Sequence, residues 1–211
     1  MGMKVFGPPK STNVARVLVC LEEVGAEYEI VPMNMAAGEH KTPAHIVRHP
    51  FGKIPALEDG DFAIFESRAI SRYILHKYKS KLLLEDDIKK AALMDAWLDV
   101  EYGLFGPLAF VIIRNLIVNP MRGEAIDQQA VDASVEKLKE VLEVYETRLS
   151  QYKYLAGDFI SFADLSLFAS TYYLISQTHG PLYDLFPHVK AWWEAIMARP
   201  SIKKVVEIMS A

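Results

Sequence analysis

Ser11 stands at the head of a helix-period run, after Pro8 and Pro9 and beside Lys10, Thr12 and Asn13. A hydroxyl there sits among the unpaired N–H groups and the positive dipole end of a helix. That is where a protein best stabilises an anion, a thiolate included. A thiol-handling fold ordinarily carries a cysteine at such a point. Serine in its place points away from disulfide exchange and towards activation of a thiol that belongs to another molecule. The single cysteine, Cys20, offers no intrachain disulfide and no paired redox motif. It lies near the apolar face of the same helix and reads as an inert core thiol.

Three further groups have chemistry to offer. Glu66-Ser67-Arg68 follows an apolar strand and opens a helix. Ser67 is placed to cap that helix, and the first-turn N–H groups suit a carboxylate. Glu66 can take an amino group, so one helix end accommodates both charges of an α-amino acid; plain helix capping is the simpler alternative. His40-Lys41 follows Gly38 in a loop, where a basic pair suits a second carboxylate and a solvated lysine is the commoner case. His45 and His49 share no metal-ligand spacing with a carboxylate, so no metal is expected. Ser161-Phe162-Ala163-Asp164 reads as a capping box with Asp in place of Glu, a structural device. No hydrolase elbow, phosphate loop or dinucleotide fingerprint is present.

The elements that must position these residues fall into two halves. A strand at Met3–Phe6 leads through the Pro8-Pro9 turn into a helix with apolar Val14, Val17, Leu18, Leu21 and Val24, and Gly25 is its stop. Tyr28–Pro32 reads as a second strand. Ile54–Leu57 and Phe62–Phe65 read as a hairpin around Asp59-Gly60, and Ala69, Ile70, Tyr73 and Ile74 give the next helix face. The order β-α-β, then β-β-α, predicts a four-stranded mixed sheet of thioredoxin-like topology over residues 1–79. In that topology Ile54-Pro55 is a candidate cis peptide, which turns the Ile54 backbone outward to pair with a peptide ligand. Residues 80–87 are charged and read as a linker. Residues 88–211 predict an all-helical domain, with runs near 88–118, 124–151, 161–178 and 188–198.

The chain has 211 residues, 51% of them hydrophobic, and a net charge of −4. A nucleic-acid footprint is basic, so none is expected. There is no N-terminal apolar run of leader length, and the most apolar stretch, Gly103–Val118, is interrupted by Pro107 and Arg114. These features predict a cytosolic protein with no membrane partner.

Five motifs in register resemble a glutathione transferase, most closely the plant phi class. They are Ser11-Thr12-Asn13-Val14-Ala15-Arg16-Val17, Glu39-His40-Lys41, His49-Pro50-Phe51-Gly52-Lys53-Ile54-Pro55-Ala56-Leu57, Phe65-Glu66-Ser67-Arg68-Ala69-Ile70, and Leu155-Ala156-Gly157-Asp158 leading to Ser161–Asp164. The resemblance implies that Ser11 is the catalytic serine donating a hydrogen bond to the glutathione sulfur. It implies that Lys41, with His40, binds the glycine carboxylate, and that Ile54 ahead of Pro55 pairs with the cysteinyl backbone. Glu66 and Ser67, with Arg68 beside them, resemble the γ-glutamyl binders. Phe51 resembles an aromatic key that inserts into the partner of a homodimer. Met35, Ile113, Ile117 and Met121 are the expected apolar substrate site. Glutathione is then the cosubstrate, with no tightly bound cofactor, and the activity is conjugation to small hydrophobic electrophiles with a side activity towards organic hydroperoxides. A non-catalytic carrier of the same fold is the alternative, and it has no need of the Ser11 hydroxyl. Two residues depart from the pattern: Lys53 stands where glutamine is usual, and His49 where asparagine is usual.

Overall fold

Apolar Met3, Val5 and Phe6 make β1 (Met3–Phe6) a buried strand, with neighbours on both sides. The computed structural model describes residues 2–211. It divides them into two compact units, one running to Leu83 and taking in Ala198–Ala211, the other spanning Leu84–Met197. In the first unit β1 leads into α1 (Thr12–Glu23), whose residues Val14 to Leu21 are all buried. The helix closes as expected at Gly25, which adopts φ 63° while the Ala26 N–H reaches back to the Leu21 carbonyl at 3.0 Å. Cys20 is buried there, and burial pushes its thiol up to about 12 against the opposing pull of Ser71 and Arg16. It is the inert core thiol of the sequence reading.

The remaining strands complete a four-stranded mixed sheet in the order β2-β1-β3-β4. β2 (Tyr28–Val31) is parallel to β1 and stops one residue before the proline expected to end it, since Pro32 has no N–H to donate. After a short helix α2 (Pro43–Ile46), β3 (Ala56–Asp59) runs antiparallel to β1. It begins two residues later than Ile54, because Pro55 has no ladder donor; the Ile54-Pro55 peptide is cis, as expected. β4 (Phe62–Phe65) pairs with β3 from Asp59↔Phe62 onward, so Gly60 and Asp61 make the turn and Asp59 belongs to the strand. The Asp59 carboxylate then accepts the Tyr73 hydroxyl at 2.6 Å and pairs with Lys77, tying the hairpin to α3 (Ser67–Lys77). This is the thioredoxin-like sheet that the element order predicts.

The second unit is helical throughout. α4 (Ile88–Met121) winds through two wider π-helical turns, Glu101–Phe105 and Arg114–Val118. By length and composition α4 is apolar enough to cross a membrane. Within its unit it lies against α5 (Gln128–Leu149) and contributes buried Phe105, Ala109 and Ile112 to a core with Val131, Leu138, Leu142 and Tyr145. α6 (Phe162–Ser166) and α7 (Phe168–Tyr173) follow, and π-helical winding at Leu174–His179 leads to α8 (Gly180–Tyr183) and α9 (Pro187–Met197). The last helix, α10 (Pro200–Ser210), packs on α1 in the first unit rather than with the helical half. Arg199 clamps the Glu23 carboxylate at 2.7 and 2.5 Å, Lys204 reaches Glu22 at 2.8 Å, and Ile202, Val205 and Met209 are buried. No run of polarity distinguishes α10 in sequence, so only packing assigns it.

Asp164 is the polar centre of the helical unit. It has the predicted capping box, with the Ser161 N–H and hydroxyl both donating to Oδ2 at 2.9 Å. Its other oxygen accepts the Leu155 N–H and the Trp192 indole N–H, each at 3.0 Å. One carboxylate with no solvent exposure therefore joins three segments. Asp164→Ala leaves these buried donors without acceptors and should cost about 3 kcal/mol or more of stability. Urea unfolding of the variant measures it, and a loss under 1 kcal/mol would show that the hub is dispensable.

Candidate active site

Strand direction alone gathers the functional loops. Phe6 pairs with Val31 in parallel and with Ala56 in antiparallel sense, and Ala56 pairs with Phe65. The segments leaving β1, leaving β2, entering β3 and leaving β4 therefore all emerge at one end of the sheet. Those segments carry Ser11, His40-Lys41, Lys53-Ile54-Pro55 and Glu66-Ser67-Arg68. The register thus brings together every expected glutathione contact of the first unit.

Ser11 is the N-cap of α1, with extended backbone (φ −71°, ψ 129°) and a carbonyl that accepts the Ala15 N–H at 2.8 Å. Its side chain makes no capping hydrogen bond. A half-buried hydroxyl thus stands at the helix N-terminus, and its oxygen accepts no capping N–H. The approach is close: a Cβ at Gly7 would lie 2.8 Å from Val14 and 3.3 Å from Ile54, so glycine at φ 140° lets the β1 loop pass between the helix start and Ile54.

The loop after β2 presents its basic residues on a short 3-10 turn, Glu39–Lys41. Lys41 is exposed, and its ammonium donates to the Phe51 carbonyl at 3.2 Å. Phe51 projects outward at 66% exposure, edge-on to His49 and Phe65. The Lys53 side chain is exposed, while its carbonyl is held by His45 Nε2 at 2.8 Å. His45 and His49 are both buried with their Nδ1 atoms unbonded, and their rings stack at 6.4 Å. Burial pushes His49 below the ordinary histidine value, Glu66 opposing and His45 and Lys53 adding to the shift. Both rings support the loop. The sequence reading discounted them as metal ligands, noted His49 as a departure from the family pattern, and missed the His45 contact.

At the head of α3 the structure corrects the expected role of Ser67. The N-cap is Glu66, exposed and at φ 70°, ψ 114°, a conformation that non-glycine residues adopt at a cost. Ser67 is the first helical residue and caps nothing; its buried hydroxyl accepts from Arg16 Nη1 at 2.9 Å and donates to Asn13 Oδ1 at 3.4 Å. A cap needs extended backbone and a free side chain, and Ser67 has neither. Arg68 is half-buried beside it. Arg16 and Asn13, to which the sequence reading assigned no role, are thereby tied to Ser67.

Among the expected apolar contacts, Met35 is half-buried in the β2–α2 loop of the first unit. In the helical unit Ile113 is buried, Ile117 is half-buried on the second π-helical turn of α4, and Met121 is 80% exposed at its end. Asn115 and Asn119 fix that end: Asn115 Oδ1 accepts the Asp127 N–H at 2.9 Å, and Asn119 Nδ2 reaches the Ala125 carbonyl at 3.1 Å.

The basic turn and the Phe51 loop meet at Gly52, which is buried at φ 54°. A Cβ there would lie 2.9 Å from both the His40 carbonyl oxygen and Lys41 Cδ. Gly52→Ala should therefore destabilise the fold by about 1–3 kcal/mol through backbone strain and the clash. An unchanged urea midpoint would show that the loop relaxes without cost.

Comparison with known proteins agrees with this geometry. Residues 1–76 match the family model described as glutathione S-transferase, N-terminal domain, and residues 105–200 match glutathione S-transferase, C-terminal domain. The chain is 55% identical over 212 residues to Probable glutathione S-transferase GSTF1 of Oryza sativa subsp. japonica, covering 99% of this chain and 97% of that protein. It is 48% identical to Glutathione S-transferase 1 of Zea mays, covering 98% of this chain and 97% of that one. Among solved structures, glutathione S-transferase I from maize in complex with an atrazine glutathione conjugate superposes with a TM-score of 0.95 at 47% identity, covering 100% of this chain and 99% of that one. Glutathione transferase F7 from Populus trichocarpa gives 0.94 at 46% identity, covering 98% and 99%. With a thioredoxin-like sheet that presents a serine at the first helix N-terminus, a helical second unit, and these similarities along its whole length, the chain belongs to the glutathione S-transferase family, in its plant phi class.

Proposed function

We propose that the protein activates glutathione as a thiolate through Ser11 and conjugates it to small hydrophobic electrophiles. The observation that carries this is the Ser11 hydroxyl at the α1 N-terminus, free of any capping bond. A thiol of pKa about 8.5 is only a few per cent ionised at neutral pH. Lowering it by about two units takes roughly 2.7 kcal/mol of preference for the anion. One hydroxyl donor to a charged acceptor, together with the helix N-terminus, supplies that order of energy. The anion forms where the donors already point, so little reorganisation is needed when sulfur attacks.

The tripeptide is held at both ends. Lys41 and His40 bind the glycine carboxylate, and Lys53 adds a second positive charge to that end. Ile54, ahead of the cis Pro55, pairs with the cysteinyl backbone. Glu66 takes the glutamyl amino group, while Ser67 and the open first-turn N–H groups of α3, with Arg68 nearby, receive the glutamyl carboxylate. The unfavourable φ of Glu66 supports this reading, since strain of that kind collects at ligand sites. The ligands bound in solved structures of similar proteins, lactoylglutathione in glutathione S-transferase I and an atrazine glutathione conjugate in the maize enzyme, support glutathione as cosubstrate and an apolar second substrate. Ile113, Ile117 and Met121 of the helical unit supply apolar contacts for that substrate. A hydroperoxide oxygen is an alternative electrophile for the same thiolate. A carrier protein of this fold has no use for the hydroxyl at residue 11. Exposed Phe51 anchors a two-fold homodimer.

Ser11→Ala should lower kcat with glutathione and chlorodinitrobenzene by about 100-fold or more, with the glutathione Kd little changed. Near-normal turnover would sink the serine mechanism. Phe51→Ala should weaken self-association by about 2 kcal/mol or more, read by sedimentation equilibrium. A wild type that sediments as a monomer at micromolar concentration would remove the dimer.

A further inference from the structure

Arg16 is a charged side chain in a segment of α1 that is otherwise buried and apolar, and only 3% of it is exposed. A guanidinium in such surroundings is costly unless its donors are satisfied. Nη1 donates to two oxygens: Asn13 Oδ1 on its own helix at 2.7 Å, and Ser67 Oγ on α3 at 2.9 Å. A hydroxyl has one proton and two lone pairs. Because Arg16 occupies a lone pair of Ser67, the Ser67 proton must point elsewhere. The acceptor it has is Asn13 Oδ1 at a long 3.4 Å, and that oxygen already receives Arg16. The Ser67 proton is thus loosely held and ready to move to a better acceptor. Such an acceptor arrives when an anion sits on the first turn of α3.

We propose that Arg16 is a positioning residue for the glutamyl end of glutathione, fixing Ser67 as a hydrogen-bond donor to the α-carboxylate and placing a buried positive charge behind it. This rests on the reading of Ser67 and the α3 N-terminus as the glutamyl site. Arg16 acts through Ser67 and has no contact with the sulfur. Its guanidinium stays charged across the working range of the enzyme, so its contribution is independent of pH. Lysine is not equivalent, since the two Nη1 hydrogens are fixed in the guanidinium plane while the protons of an ammonium rotate. The same network reaches Asn13, two residues from Ser11, so the helix that presents the catalytic hydroxyl also organises the carboxylate site on a different helix.

The test compares two ligands that differ only in the group in question: glutathione, and 4-aminobutyryl-cysteinylglycine, which keeps the amine and lacks the α-carboxylate. Dissociation constants are measured by calorimetry for the intact protein. Wild type should prefer glutathione by about tenfold or more. Arg16→Lys should lose about tenfold in glutathione affinity and leave the analogue within about twofold, abolishing the preference. Ser67→Ala should do the same, and the double variant should be no worse than either single, because the two residues serve one contact. Equal weakening of both ligands by Arg16→Lys, or additive losses in the double variant, would overturn the proposal and leave Arg16 a structural residue. A wild type indifferent to the α-carboxylate would instead remove the glutamyl-site reading, and the proposal with it. Should Arg16→Lys not fold, Asn13→Ala truncates an exposed side chain and carries the same test. It should lower glutathione affinity a few-fold and spare the analogue, and an unchanged preference would overturn the proposal.

Discussion

The site depends on one pairing register, in which Phe6 lies opposite Ala56 and Ala56 opposite Phe65. Three strand ends are thereby fixed at the same edge, and two helix N-termini, those of α1 and α3, follow within a few residues. A helix N-terminus offers unpaired N–H groups and a partial positive charge. Two of them on one sheet hold two partial positive charges at a set separation. A one-residue slip of β3 would turn Leu57 to the opposite face of the sheet and displace the segments that leave its end. Val5 and Leu57, paired on one face, and Ala56 on the other are all fully covered, so such a slip would misfit both faces.

Loops on that frame are free to be irregular where ligand contact requires it. Glu66 and Gly52 adopt positive φ, and the Glu39–Arg48 segment lies outside the sheet, with side-chain contacts fixing it to its surroundings. Those contacts are polar and specific: Lys41 to the Phe51 carbonyl, and His45 to the Lys53 carbonyl. Both fix backbone immediately before Ile54. The two histidine rings are buried against this segment, and burial lowers His49 below the ordinary histidine value.

The helical unit solves a different problem. Its long helix α4 carries little amphipathic pattern, and its neighbours are joined by loops rather than by ladders. Asp164 organises the joints, with a single buried carboxylate receiving donors from Leu155, Ser161 and Trp192. The asparagines at 115 and 119 serve the distal end of α4 in the same way, binding the backbone of the segment that leads to α5. Side-chain-to-backbone bonds of this kind fix loops where no repeating hydrogen-bond pattern exists.

The sequence by itself determined the element order, the mixed sheet, the Asp164 capping box and the placement of Ser11 at a helix start. These are local matters: apolar periodicity, turn residues and capping residues act over a few positions, so they are legible along the chain. The motifs around Lys41, Ile54 and Glu66 were legible for the same reason. Only the tertiary structure decided that α10 joins the first unit, because its apolar face could have packed on any helix and the choice lies in Glu22 and Glu23 far away in sequence. Only the tertiary structure decided that Ser67 caps nothing, since its hydroxyl is claimed by Arg16 from another helix. The roles of Arg16 and His45 were hidden likewise. A charged or aromatic polar residue reads as surface until the fold shows what surrounds it, and burial is a property of the whole chain rather than of its neighbours in sequence.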